Sequence, residues 1–398
     1  MTYDIVVSGG GIAGLAAAAA FGADGYSVLC LDPTPPVTDR DADGADLRTT
    51  AFLQPAQAFL DEIGLWARLE GHAMPLQVMR IVDAGGEEPR ARVTKEFDAS
   101  NISDQPFGWN LPNWLLRREF VAHLDGLDTV TFRAGFGTTS LFTREAEARV
   151  GLSDGTKVRC KLVIAADGRN SPMRKAAGID IQTTRFGQKA LAFAVTHPIP
   201  HGNVSTEIHR TGGPFTFVPL PDLEGRPSSA IVWMEEGPNA EALMALDTTA
   251  FEEAMTTRSC SLFGPLELAS RRTIWPIISQ HADRLSGERI ALVAEAAHVV
   301  PPIGAQGLNM SLKDISVLRD LARQAGGHIG DRKMLDAYHQ TRIAEIRARV
   351  AGITLLNRTS MLSAQPLRDI RAKGLDALYT LKPVRKTLMQ LGLGARGI

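Results

Sequence analysis

The segment Ser8-Gly9-Gly10-Gly11-Ile12-Ala13-Gly14 follows strand-like residues 4–7 and opens an alanine-rich run over residues 12–24. Few folds accept that arrangement. Gly9 permits a tight turn, Gly11 lets the backbone approach a pyrophosphate, and Gly14 lets the helix pack closely on the strand. The helix beginning at Ile12 and Ala13 presents unsatisfied N–H groups and a positive dipole end to phosphates. Residues 27–31 read as a second strand, and Asp32 at its end is placed to accept hydrogen bonds from an adenosine ribose. The spacing predicts a βαβ unit that binds a dinucleotide, without distinguishing NAD from FAD.

The rest of the composition sets limits. The chain has 398 residues, 44% hydrophobic and 22% charged, enough for two or three domains with a large core. A formal charge of −1 offers no global field to nucleic acid, and no nucleic-acid partner is expected. Cys30, Cys160 and Cys260 are widely spaced and odd in number, so neither a structural metal site nor a disulfide framework is expected. The first strand starts too early for a secretory leader, and no apolar run reaches the ~18 residues of a membrane span. A cytoplasmic protein is expected, with peripheral contact to the inner membrane left open.

Phe59, Ile63, Leu65 and Leu69 carry helical spacing over residues 55–69. Residues 76–98 read as a strand pair, and Asn113 is placed to cap a following helix. Over residues 185–236 strands alternate with Pro/Gly turns, suggesting a separate antiparallel sheet. Residues 288–298 return to parallel-strand character, and the chain beyond 306 is helical in pattern. The expected fold class is α/β: a Rossmann-like nucleotide-binding domain (1–75, 106–182 and 273–335), an inserted antiparallel β-sheet substrate domain (76–105 and 183–272), and a C-terminal helical segment (336–398).

Two further motifs narrow the function. Residues 162–179, LVIAADGRNSPMRKAAGI, form a strand ending in Asp167-Gly168. Residues 292–309, LVAEAAHVVPPIGAQGLN, pass from an apolar strand through Glu295, His298 and two prolines to a helix start near Gly307. With the glycine turn, these resemble in chain order the three signatures of flavin-dependent aromatic hydroxylases, the class A flavoprotein monooxygenases that include para-hydroxybenzoate hydroxylase. The similarity is closest to their ubiquinone-biosynthesis branch and extends over nearly the whole chain, through residues 47–66, 111–120 and 212–221.

The resemblance implies a resident FAD and assigns roles around it. Glu295 would accept hydrogen bonds from the ribityl hydroxyls. Pro302 and Gly304 would hold the loop extended beside the isoalloxazine ring, and Ala305, Gln306, Gly307, Leu308 and Asn309 would aim helix N–H groups at the pyrimidine edge. Arg48 and Arg117 would reach the flavin and its phosphates, and Asp167 would belong to the cofactor site. NAD(P)H would dock transiently and reduce the flavin, and O2 would give a flavin hydroperoxide that hydroxylates the ring of a polyprenylated phenol or quinol. That chemistry demands no acid or base from the protein. His298 stands as a candidate for one, or as a loop histidine satisfied by backbone partners.

Four residues depart from the signatures. Ala294-Glu295 stands where the family has Gly-Asp, Ala305 replaces the first glycine of Gly-Gln-Gly, and Ser8 replaces an apolar residue. Ala294-Glu295 and Ala305 motivate another reading, a non-catalytic scaffold among other ubiquinone-biosynthesis proteins. Hydroxylation of a soluble phenol and reduction of prenyl chains are the enzymatic alternatives. The tail places Arg368, Arg371, Lys373, Lys382, Arg385, Lys386 and Arg396 beside Leu378, Leu381, Leu388 and Leu391. It reads either as an interfacial or partner-docking surface or as a helix packed on its own domain.

Overall fold

In the computed structural model, which describes residues 1–362, 364–380, 386, 389 and 390, the strand Ile5–Ser8 lies inside a six-stranded sheet. It pairs in parallel with Val28–Asp32 on one side and Leu162–Ala165 on the other. Val130–Ala134 extends the sheet beyond Val28–Asp32, and Ile290–Leu292 extends it beyond Leu162–Ala165. Ile5, Val6 and Val7 are fully buried, as expected of a parallel strand covered on both faces. Helix Ile12–Ala23 crosses between the first two strands, and alanines let it pack closely there: Ala16, Ala17, Ala18 and Ala20 have no exposed surface.

A second, larger sheet carries Thr273–Ala282, Ile181–Thr196, Arg226–Glu236, Pro214–Leu223, Val204–His209, Val78–Asp83 and Val93–Asp98 in that order. Two features differ from expectation. Val204–His209 runs parallel to Val78–Asp83, because the chain makes a long excursion between them and returns in the same direction. Thr273–Ala282, assigned from its sequence to the nucleotide-binding half, pairs instead with Ile181–Thr196.

Alternation gives this sheet two unlike faces. Leu191, Phe193, Phe215, Phe217, Ile231 and Trp233 bury one face against Phe251 and Met255 of helix Thr248–Arg258. Each such large apolar side chain contributes about 1.5–3 kcal/mol on burial. The register places Ala190, Ala192, Thr216, Val218, Val232 and Met234 on the opposite face. There Val300 and Ile303 pack over Ala190, Val232 and Met234, beside Ile353 of helix Arg332–Ser360.

Helix Gln365–Thr380 is fastened to strand Val93–Asp98 and its approach. Arg92 meets Asp369 and Lys95 meets Asp376, each at 2.6 Å, and Tyr379 stands edge-on to Phe97. Lys382, Arg385, Arg396, Leu381, Leu388 and Leu391 lie outside the described residues. Among the described residues no helix is long and apolar enough to cross a membrane.

Candidate active site

The glycine turn is built as its spacing requires. Gly9 has φ +105°, and a Cβ there would meet the Ala166 carbonyl oxygen at 2.4 Å. A Cβ on Gly14 would stand 1.8 Å from the Gly9 carbonyl oxygen, so the helix packs directly on the turn. At Gly11 a Cβ would meet nothing within 4 Å, which leaves open space beside the uncapped start of helix Ile12–Ala23. Asp32 is partly engaged by the turn itself. One carboxylate oxygen accepts the Gly10 N–H at 2.7 Å and the other the Thr34 N–H at 2.8 Å, and each keeps a second lone pair.

The two later motifs are stapled together. Buried Arg174 donates to the Ala296 carbonyl at 2.9 Å and to the Arg169 carbonyl at 3.0 Å. The Arg169 side chain pairs with Glu295 at 3.2 and 3.3 Å. Glu295 is therefore an exposed acid facing an arginine. In the Asp-Gly turn, Asp167 Oδ2 accepts from the Met173 N–H at 3.0 Å and from Ser8 Oγ at 3.3 Å. Its Oδ1 is buried and has no partner among the described residues. Burial pushes the Asp167 carboxyl above its ordinary range, against the hydrogen bonds from Ser171, Met173 and Ser8. Ser8, unusual at its position, is thus part of this arrangement.

Both alanines that replace family glycines adopt left-handed backbone: Ala294 has φ +56° and Ala305 φ +55°. Gly304, φ +64°, precedes Ala305, so two left-handed residues turn the chain into helix Gln306–Ala325, whose start has no side-chain cap. Pro302 and Gly307 are exposed at this turn, and Leu308 is half-buried. Gln306 donates to the Gly304 carbonyl at 2.8 Å and accepts from Arg349 at 2.7 Å. Asn309 serves the protein's own backbone. Its Oδ1 accepts from the Leu53 N–H, and its Nδ2 donates to the Ala51 carbonyl, both at 2.8 Å. The helix start is thereby locked onto strand Thr49–Leu53.

Arg48 and Arg117 converge on Asp46, which the sequence alone does not single out. Arg48 holds it through two bonds of 2.8 and 2.7 Å, and Arg117 lies 3.8 Å away. Burial opposes ionisation of Asp46, but Arg48, Asn113 and Arg117 outweigh it and hold the carboxyl below its usual range. Asn113 does not cap its helix. Its amide bonds Asp46 and Thr50 instead, because Pro112 occupies the capping position. The Arg48 guanidinium also lies 5.4 Å from the centre of the Trp275 ring. Arg117 Nε is buried and has no partner among the described residues.

His298 has a carboxylate partner rather than a backbone one. Its Nε2 lies 2.7 Å from Asp314 Oδ2, and Arg342 donates to Asp314 Oδ1 at 2.9 Å. All three side chains are essentially fully buried. Asp314 and Arg342 carry no motif of their own, although Asp314 stands four residues after Met310 and four before Leu318 in the buried stripe of its helix.

The glycine turn, the Asp-Gly turn and the 294–309 segment thus meet around the ends of the parallel strands. Over residues 2–352 the sequence matches the family described as FAD binding domain.

The chain belongs to this FAD-binding family.

Among related proteins, ubiquinone hydroxylase UbiL of Rhodospirillum rubrum is 31% identical over 394 residues, covering 98% of this chain and 89% of that protein. The 3-demethoxyubiquinol 3-hydroxylase of Escherichia coli is 26% identical, covering 98% of both. The crystal structure of p-nitrophenol 4-monooxygenase PnpA from Pseudomonas putida shares the fold, with a TM-score of 0.80 at 19% identity over the whole of both chains. FAD is the cofactor, and the chain is an FAD-dependent monooxygenase.

The residues present fit FAD. Gly11 leaves room where a side chain would obstruct a diphosphate. Arg117 Nε and Asp167 Oδ1 are a buried donor and a buried acceptor without partners among the described residues, the complement a flavin's phosphate and polyol require.

Proposed function

We propose that this FAD-binding protein is an NAD(P)H- and O2-dependent hydroxylase of the aromatic ring of a polyprenylated phenol or quinol intermediate on the way to ubiquinone. When bound, FAD supplies the chemistry, accepting reducing equivalents from NAD(P)H and activating O2. The amides at the start of helix Ile12–Ala23 would hold the diphosphate, aided by Arg117, with Arg48 held ready by Asp46. Asp167 and Glu295 would accept the polyol hydroxyls. The uncapped start of helix Gln306–Ala325 would favour negative charge on the pyrimidine side of the ring. The observation that carries the reading is the loop at Val300–Ile303. It packs across the small-residue face of the large sheet, a water-poor floor suited to an apolar aromatic substrate.

The test has two parts. Purified protein should be yellow and should consume O2 with NAD(P)H when given a prenylated phenol, yielding a product heavier by one oxygen. A strain lacking the gene should accumulate an intermediate short of one hydroxyl or methoxyl group. Normal ubiquinone in that strain, with no oxygenated product in vitro, would overturn the proposal. A colourless protein that still complements as a Gly11→Val variant would point to a scaffold.

A further inference from the structure

The inner face of the large sheet is small or apolar over three adjacent strands, and then it is not. In one cross-strand row the register runs Ala192, Val232, Thr216 and then Glu207. Glu207 lies in the middle of a strand, Val204–His209, that is paired on both sides. An acid there loses much of its hydration. Two residues on, and so on the same face, His209 Nε2 lies 2.7 Å from Glu207 Oε1, with side chains 16% and 17% exposed.

The position relative to the flavin loop is informative. Val232 and Val300 both pack against the cluster that holds Ala190, Met234 and Ile303. Glu207 is two strands farther out, roughly 10 Å at ~4.8 Å per strand, with only the half-buried Thr216 between them in that row. Beyond Glu207 the row continues to Ile81 and Lys95, and Lys95 is paired with Asp376. Asp83, next to His209 in the neighbouring row, is paired with Arg92. Lys95 and Asp83 at the far edge are thus each paired, while Glu207 lies on the face that carries Val232 and Thr216.

We propose that Glu207, oriented by His209, accepts the hydrogen bond of the substrate's ring hydroxyl. This rests on the aromatic-hydroxylase reading and gives it a specificity residue. An apolar ring lying over Val232 and Thr216 has one direction in which a hydroxyl finds an acceptor, so the acid registers which ring carbon faces the loop. A carboxylate accepting from the hydroxyl also pushes electron density into the ring, which favours attack by an electrophilic oxygen at the ortho and para carbons.

The experiment compares a short-chain prenylated phenol with its methyl ether, using the FAD-loaded full-length protein. The readouts are kcat and KM for each substrate, and binding followed by perturbation of the flavin absorbance. Wild type should favour the phenol 10- to 100-fold in kcat/KM. Glu207→Ala should collapse that ratio toward one, and Glu207→Gln, which keeps an acceptor of similar size without the charge, should fall between. Should the alanine variant fail to fold, the glutamine variant carries the test through an expected loss of about 10-fold in discrimination, which is ~1.4 kcal/mol. Undiminished discrimination in the variants overturns the assignment of Glu207 alone. A wild type that hydroxylates neither compound overturns the underlying reading and this inference with it.

Discussion

Asp314 stands between His298 and Arg342, 2.7 Å from one and 2.9 Å from the other, with no solvent access to its carboxylate. Helix Gln306–Ala325, helix Arg332–Ser360 and the short strand His298–Val299 each contribute one member. The chain continues outward: Arg342 bonds Glu345, Glu345 bonds Arg349, and Arg349 bonds Gln306 at the helix start.

The first prediction concerns stability. Asp314→Asn leaves Arg342 short of a buried counterion, and breaking a buried pair from one side costs about 3–5 kcal/mol. Burial raises the Asp314 carboxyl, yet His298 and Arg342 outweigh it and hold the group below the ordinary 3.8. A folded pKa below the unfolded one contributes stability above the unfolded value, lost as pH falls through the folded value. Denaturant melts across acid pH should therefore show a shallower acid loss in Asp314→Asn than in wild type.

The second prediction separates two glycines that look alike in sequence. Gly11 has φ −69° and open space where a Cβ would go, so Gly11→Ala should fold with stability unchanged or up to ~1 kcal/mol higher. Only the bound cofactor opposes the methyl, so FAD affinity should fall at least tenfold by flavin fluorescence titration. Gly14→Ala puts a methyl 1.8 Å from the Gly9 carbonyl oxygen and should yield little folded protein. Equal FAD binding by Gly11→Ala and wild type would place the diphosphate elsewhere.

The contrast shows what could be read without coordinates. Backbone-dictated features were legible, because turn glycines, the strand-ending acids and the helix start near Gly307 follow from local rules. Side-chain partnerships between distant segments were not. Asp46 gathers Arg48, Arg117 and Asn113 from two elements, and nothing in its neighbours announces it. Asn309 looked like a flavin-side residue because it sits in the motif, yet its amide is committed to Ala51 and Leu53, some 250 residues away in sequence. The parallel pairing of Val204–His209 with Val78–Asp83 was hidden for the same reason, since register across a long excursion has no local signature.

The third prediction follows from Ala294 and Ala305. A left-handed conformation costs an L-residue about 1–2 kcal/mol, and glycine escapes that cost while losing more entropy on folding. Ala294→Gly and Ala305→Gly should each stabilise the protein by ~0.5 kcal/mol net. Both should tighten FAD binding, because the turns they relax border the proposed cofactor site. Thermal melts of the apoprotein and the holoprotein, side by side, distinguish backbone relief from a change in cofactor contact. A loss of apoprotein stability in either variant would contradict the strain argument.

The fourth prediction uses the sign at Asp167, which is opposite to that at Asp314. Burial is the largest influence and raises its carboxyl above 3.8, with Ser171, Met173 and Ser8 opposing. A folded pKa above the unfolded one means the associated stability is present below the unfolded value and is lost as pH rises through the folded value. The ionised carboxylate is therefore a charge the apoprotein would be more stable without, and among the described residues Oδ1 has no hydrogen-bond partner. Asp167→Asn should make the apoprotein more resistant to urea at pH 7, with the difference shrinking as pH falls through the folded value and the wild-type acid takes up its proton. The same substitution should weaken FAD, because an amide offers the polyol a poorer acceptor than a carboxylate, by about 1.5–3 kcal/mol for a charge-assisted bond. An apoprotein destabilised at pH 7 by Asp167→Asn would mean that the carboxylate is needed by the fold rather than held in reserve for the ligand.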